Sequence, residues 1–148
     1  MIRKYHLLFL CLFGAISING VCQKGDSRLE IDITNLRNSK GQLLVSLFNS
    51  ASGFPDDPKK AYRITRITLT SRSAIARFDD LPSGTYAIAI LHDENNDQEM
   101  NKNFLGIPRE GYGFSNNAQG VFGPPTWPKA GFAFLEGQKL KTTIRTRY

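Results

Sequence analysis

Polar and apolar residues alternate from Arg28 to Leu36, with Leu29, Ile31 and Ile33 on one face. A period of two predicts a strand with one buried and one wetted side. Asn38-Ser39-Lys40-Gly41 has turn chemistry. Leu43 to Asn49 follows with Leu43, Val45 and Leu47 inward, so the two segments are expected to pair as a hairpin. Residues 52–58 read as a loop in which Asp57 caps a single helical turn begun by Pro58. Arg63 to Thr70 alternates imperfectly around Ile64 and Ile67, as a bulged or edge strand does. Ser73 to Phe78 sets Ala74, Ala76 and Phe78 on one side, and Leu81 to Gly84 is a tight turn. Thr85 to Leu91 is apolar at nearly every position, the pattern of a central strand covered on both faces. From Asp93 to about Lys129 neither period is sustained. Ala130 to Leu135 and Leu140 to Arg147 then make a closing pair around Glu136-Gly137-Gln138.

The expected fold is all-β: a seven-stranded antiparallel β-sandwich carrying one long ordered loop ahead of its end. At 148 residues the chain is one domain's worth. A chain of this size buries about two-thirds of its unfolded surface, so neither disulfide nor metal is needed for a core.

The first residues have a different character. Arg3 and Lys4 precede the uncharged run Leu7 to Phe13, and small and polar residues follow up to Gln23. This is the layout of a secretory signal peptide, and the run is too short to span a bilayer. The expected division is a signal peptide over 1–22 and a single β-sandwich domain over 23–148, with cleavage after Cys22 or after Gly20. Lipid attachment at Cys22 is the less favoured alternative, since Val21 and Asn19 depart from the lipoprotein pattern. Both cysteines, Cys11 and Cys22, fall within the leader, and His92 is the histidine that remains beyond it. The expected location is periplasmic or secreted. Loss of Arg3 and Lys4 takes the formal net charge from +6 to +4. The remaining basic residues are scattered, whereas nucleic-acid binders cluster theirs.

The long loop carries the candidate chemistry. It opens with oxygen-bearing side chains at alternate positions: Asp93, Asn95, Asp97, Glu99 and Asn101. Hard cations take six to eight oxygens, and such a curved acidic segment can supply several, calcium being the ion that fits best. Gln98 and Phe104 stand where the helical calcium loop needs Gly and a bidentate Glu, and Glu110 is placed to close a site from across the loop. The competing reading is an Asn-rich turn whose side chains satisfy its own backbone. Further along, Tyr112, Phe114 and Trp127, with His92 and Glu110, form a candidate ligand-binding set for an unknown envelope or extracellular partner. The plainer alternative is that these rings cover the open end of the sheet. Gly123-Pro124-Pro125-Thr126-Trp127-Pro128 is stiff and suited to a cis proline.

Phe78 to Ile90 with its Leu81-Pro82-Ser83-Gly84-Thr85-Tyr86 turn, the His92-Asp93-Glu94-Asn95 segment, Gly106 to Ser115, and Pro124-Pro125 together resemble a family of secreted bacterial proteins, domain of unknown function 2141. The resemblance covers about Leu29 to Ile144. It implies a sandwich of the prealbumin-like or Ig-like kind, similar to carboxypeptidase-regulatory domains. It also implies a Gly near Gln98 and an acid near Asn101, from which this chain departs. The family fixes a fold better than an activity.

Two functional classes fit. One is a non-catalytic extracytoplasmic module with a binding or structural role. The other is a secreted hydrolase using carboxylates of the 93–110 loop. The second has no Gly-x-Ser-x-Gly elbow, and the domain's single histidine leaves it short of zinc ligands.

Overall fold

The computed structural model describes residues 26–148. The expected leader over 1–22, its cleavage and Cys22 lie outside the described residues.

Eight strands form: β1 (Arg28–Thr34), β2 (Gln42–Phe48), β3 (Arg63–Thr68), β4 (Ala74–Asp79), β5 (Gly84–Asp93), β6 (Gly111–Phe114), β7 (Phe132–Phe134) and β8 (Lys139–Arg145). A one-turn helix α1 (Trp127–Ala130) precedes β7, and 3₁₀ turns occupy Pro58–Lys60 and Ser115–Asn117. Asp57 caps the first of these turns as the sequence predicts, its carboxylate accepting from Lys59 N. Among the described residues, no helix is long and apolar enough to cross a membrane.

The strands make two sheets. One has the order β4-β1-β8; the other runs β3-β2-β5-β6, with β7 paired to the first residues of β5. Leu29, Ile31 and Ile33 of β1 face Leu43, Val45 and Leu47 of β2 and Ile88 of β5 across the core, all fully buried. Each such side chain contributes about 1.5–3 kcal/mol relative to exposure. The larger sheet is also covered on its outer face. There a second cluster joins Ala87, Phe114 and Ala130 to Phe54, Tyr112 and Trp127. Double coverage explains why β5 is apolar on both faces, and the edge position of β3 explains its imperfect pattern.

Five expectations need correction. The strands number eight, because the 93–129 loop contains β6, whose Gly-Tyr-Gly-Phe sequence carries no alternation signal. The sheets are not wholly antiparallel: β1 and β8 pair in parallel from Arg28↔Lys139 to Thr34↔Arg145. β1 and β2 do not form a hairpin but lie in different sheets, and the closing segments β7 and β8 pair with β5 and β1 rather than with each other. Two strands that each bury one face read alike whether they share a sheet or face each other across a core. The cis peptide bond joins Phe54 to Pro55, not the Gly123–Pro128 segment.

Candidate acidic loop and aromatic cover

The register of β5 and β6 builds the centre of the loop. His92 pairs with Gly111, so one further step along the antiparallel ladder sets Asp93 opposite Glu110. On the other side of β5, Gln42 pairs with Asp93. Asp93, Asp97 and Glu110 each offer a carboxylate oxygen, and these oxygens lie within 4.8 Å of one another. Asp93 is fully buried and Glu110 is 4% exposed.

Most of their bonds come from neutral donors. Asp93 Oδ1 accepts from Asp97 N at 3.1 Å, and Oδ2 accepts from Gln98 N at 3.0 Å and Gln42 Nε2 at 2.8 Å. Glu110 accepts from Glu94 N at 2.9 Å and Asn101 N at 3.1 Å. Asp97 accepts from Glu99 N at 2.9 Å and from the side chains of Asn95 at 2.7 Å and Asn101 at 2.8 Å. Those bonds, Asn101's foremost, hold the Asp97 carboxyl below its ordinary range. A carboxylate has about four acceptor sites, so all three groups keep capacity for a further partner. Asn95 and Asn101 reach the cluster from its exposed side, whereas Glu99 gives its backbone N–H and leaves its side chain in solvent. The loop is therefore a self-satisfied turn of the Asx kind, and its carboxylates still converge.

Two backbone positions shape it. Asn96 and Gln98 have φ of 63° and 66°, the left-handed region that glycine takes most easily. Gly41, at φ +68°, lies so near that an added Cβ would stand 2.0 Å from Asp93 O.

His92 is sealed at 0% exposure and does not face solvent. Its Nε2 lies 2.9 Å from Lys40 O and its Nδ1 2.7 Å from Tyr148 Oη. Phe114 and Trp127 pack with Phe54 in edge-to-face contacts at 6.1 and 5.7 Å, and Phe54 meets Phe48 at 5.5 Å. Tyr112 stands 5.9 Å from Phe114. Tyr112 and Phe114, with Asn117 and Arg147, border a cavity of about 80 Å³, open to solvent, well below the size of a drug-sized ligand pocket. The candidate ligand set thus divides: Glu110 belongs with the carboxylates, His92 with a buried hydrogen-bond chain, and the three rings with the outer cover of the larger sheet.

Gln42, Glu94 and Phe54 escape the sequence analysis. Glu94 accepts from Arg37 Nε at 2.6 Å and Asn38 Nδ2 at 3.0 Å, tying the acidic loop to the β1–β2 connection. The strand register would have found Gln42; Phe54 lies in a loop without periodicity.

A family model described as "Uncharacterized protein conserved in bacteria (DUF2141)" matches residues 31–143, which take in β2 to β7 and the whole acidic loop. No curated protein and no solved structure matches the chain.

Proposed function

The chain belongs to this DUF2141 family, and on that footing we propose an exported, non-catalytic β-sandwich module with a binding or structural role outside the cytoplasm, whose 93–110 loop takes up a divalent cation. The supporting observation is the convergence of Asp93, Asp97 and Glu110 within 4.8 Å, two of them buried. Among the described residues no basic side chain forms an ion pair with any of the three. Buried carboxylates ordinarily sit with a cation or a metal, because desolvating an unpaired charge is costly. Oxygen donors alone, on an irregular loop, suit calcium better than magnesium, which demands a near-ideal octahedron. Turning the Asn95 and Asn101 amides would add neutral oxygens from the exposed side.

Calorimetric melting with calcium and with chelator tests this reading. Calcium at about 100 times its dissociation constant adds ~2.7 kcal/mol, a shift of several degrees for a domain this size. Asp93→Asn with Glu110→Gln abolishes the shift. An unchanged melting temperature in the parent chain removes the cation from the proposal.

A further inference from the structure

Between the two ends of the acidic loop the chain runs out to a tip. Lys102 and Pro108 form an antiparallel bridge, and Arg109 N donates to Asn101 O at 2.8 Å. Asn103 N donates to Ile107 O, and Gly106 N to Asn103 O, both at 2.9 Å. The Asn103 side chain accepts from Leu105 N at 2.9 Å and Ile107 N at 3.0 Å. A turn so fully hydrogen-bonded is ordered before it meets anything. Its side chains nevertheless point the wrong way for water: Phe104 is 95% exposed, Leu105 67% and Ile107 53%. Isolated exposed apolar residues are ordinary, but three within four residues on a hydrogen-bonded turn form a patch that marks an interaction site. Lys102 and Arg109 flank the patch, both exposed and without an ion pair among the described residues, and no acid lies between them.

We infer that the 102–109 tip is a membrane-surface anchor, with Phe104, Leu105 and Ile107 seated at the headgroup–acyl boundary of an anionic leaflet while Lys102 and Arg109 meet its phosphates. Exposure and charge decide for a bilayer over a protein partner. An exposed apolar turn needs a medium that parts around it, and the basic pair complements anionic headgroups. The turn's internal bonds remove most of the ordering cost of insertion. Three side chains and two charges make the attachment reversible. The inference does not rest on the cation, since Asn103 holds the turn.

The full chain is tested on vesicles of phosphatidylglycerol with phosphatidylcholine and on phosphatidylcholine alone. Phe104→Trp, compared with the parent whose tryptophan is Trp127, is expected to shift its emission to the blue and to be quenched by brominated acyl chains on the anionic vesicles. Replacing Phe104, Leu105 and Ile107 together with Ser is expected to weaken anionic-vesicle binding at least about tenfold. Lys102→Glu with Arg109→Glu is expected to reduce it to the level seen on phosphatidylcholine. The apolar N-terminal run is common to all these chains, so the differences belong to the tip. An unquenched tryptophan at 104, or full binding by the triple variant, overturns the proposal and leaves the tip to a protein partner or to solvent. Repeating the titration in chelator separates this result from the fate of the cation reading: binding persists without calcium.

Discussion

The Tyr148 hydroxyl hydrogen-bonds His92 Nδ1 at 2.7 Å, and the same oxygen accepts from Arg37 N at 2.9 Å. Lys40 O can only accept, so Nε2 is the nitrogen that carries a proton, and Nδ1 is left to the Tyr148 hydroxyl. Burial pushes the Tyr148 phenol up, outweighing the Arg37 bond and keeping the hydroxyl protonated through the neutral range. Three segments remote in sequence are thereby joined through one imidazole. Tyr148→Phe strips the buried Nδ1 and the Arg37 amide of a partner and should cost about 1–3 kcal/mol in urea denaturation. His92→Ala should cost more, about 2–5 kcal/mol, because it adds a cavity. The double variant should cost less than the two losses combined.

Gln98 holds a left-handed backbone, φ 66°, in the middle of the acidic loop. Non-glycine residues occupy that region at a cost of about 1 kcal/mol. The Arg66–Gln98 side-chain bond at 3.1 Å is exposed and offsets little of it. Gln98→Gly is therefore expected to leave stability unchanged or raise it by up to about 1 kcal/mol, whereas Gln98→Val should lower it. Chemical denaturation of the three chains checks the order.

Gly41 meets the opposite demand, for space. A side chain there would strike the Asp93 carbonyl, which belongs to the central strand and cannot withdraw. Gly41→Ala should destabilise by ~2 kcal/mol or more, through both the clash and the left-handed φ of +68°. Amide exchange should report the loss at Asp97 and Gln98 first, because the Asp93 carboxylate accepts their N–H groups.

Acid should loosen the loop before the core. Burial raises the Glu94 carboxyl, but bonds from Asn38 and Arg37 outweigh it and leave the group below its ordinary 4.5. Asp97 likewise lies below its ordinary 3.8. A lowered folded-state value contributes stability that is present above the ordinary value and lost as pH falls through the lowered one. Stability should thus hold from neutral pH to about 5 and decline below 4.5. Glu94→Gln should flatten that decline in denaturation curves taken across the acid range.

The segments that read correctly are those where one residue type answers to one environment. β1 alternates because its outer face meets water, and β5 does not because Phe114, Trp127 and Ala130 lie over its second face. β6 is illegible because it is four residues long and half glycine. Gly111 and Gly113 are there so that Thr146, Tyr148 and Ile144 can cross it closely, a demand set by distant partners. The alternating oxygens from Asp93 to Asn101 are visible in the sequence, whereas the nearness of Glu110 to Asp93 and Asp97 comes from the pairing of β5 with β6, which spacing alone does not reveal. Phe114 and Trp127 look like contact residues in sequence because rings among Gly, Asn and Pro have the same composition whether they face a ligand or a sheet.

The parallel pairing of β1 with β8 has a kinetic side. Arg28 finds its neighbour at Lys139, so the smaller sheet cannot close around its middle strand until residues 139–145 join it. Contacts that span such a distance slow folding, and until they form one hydrogen-bonding edge of β1 stays open, a template for pairing with the wrong strand.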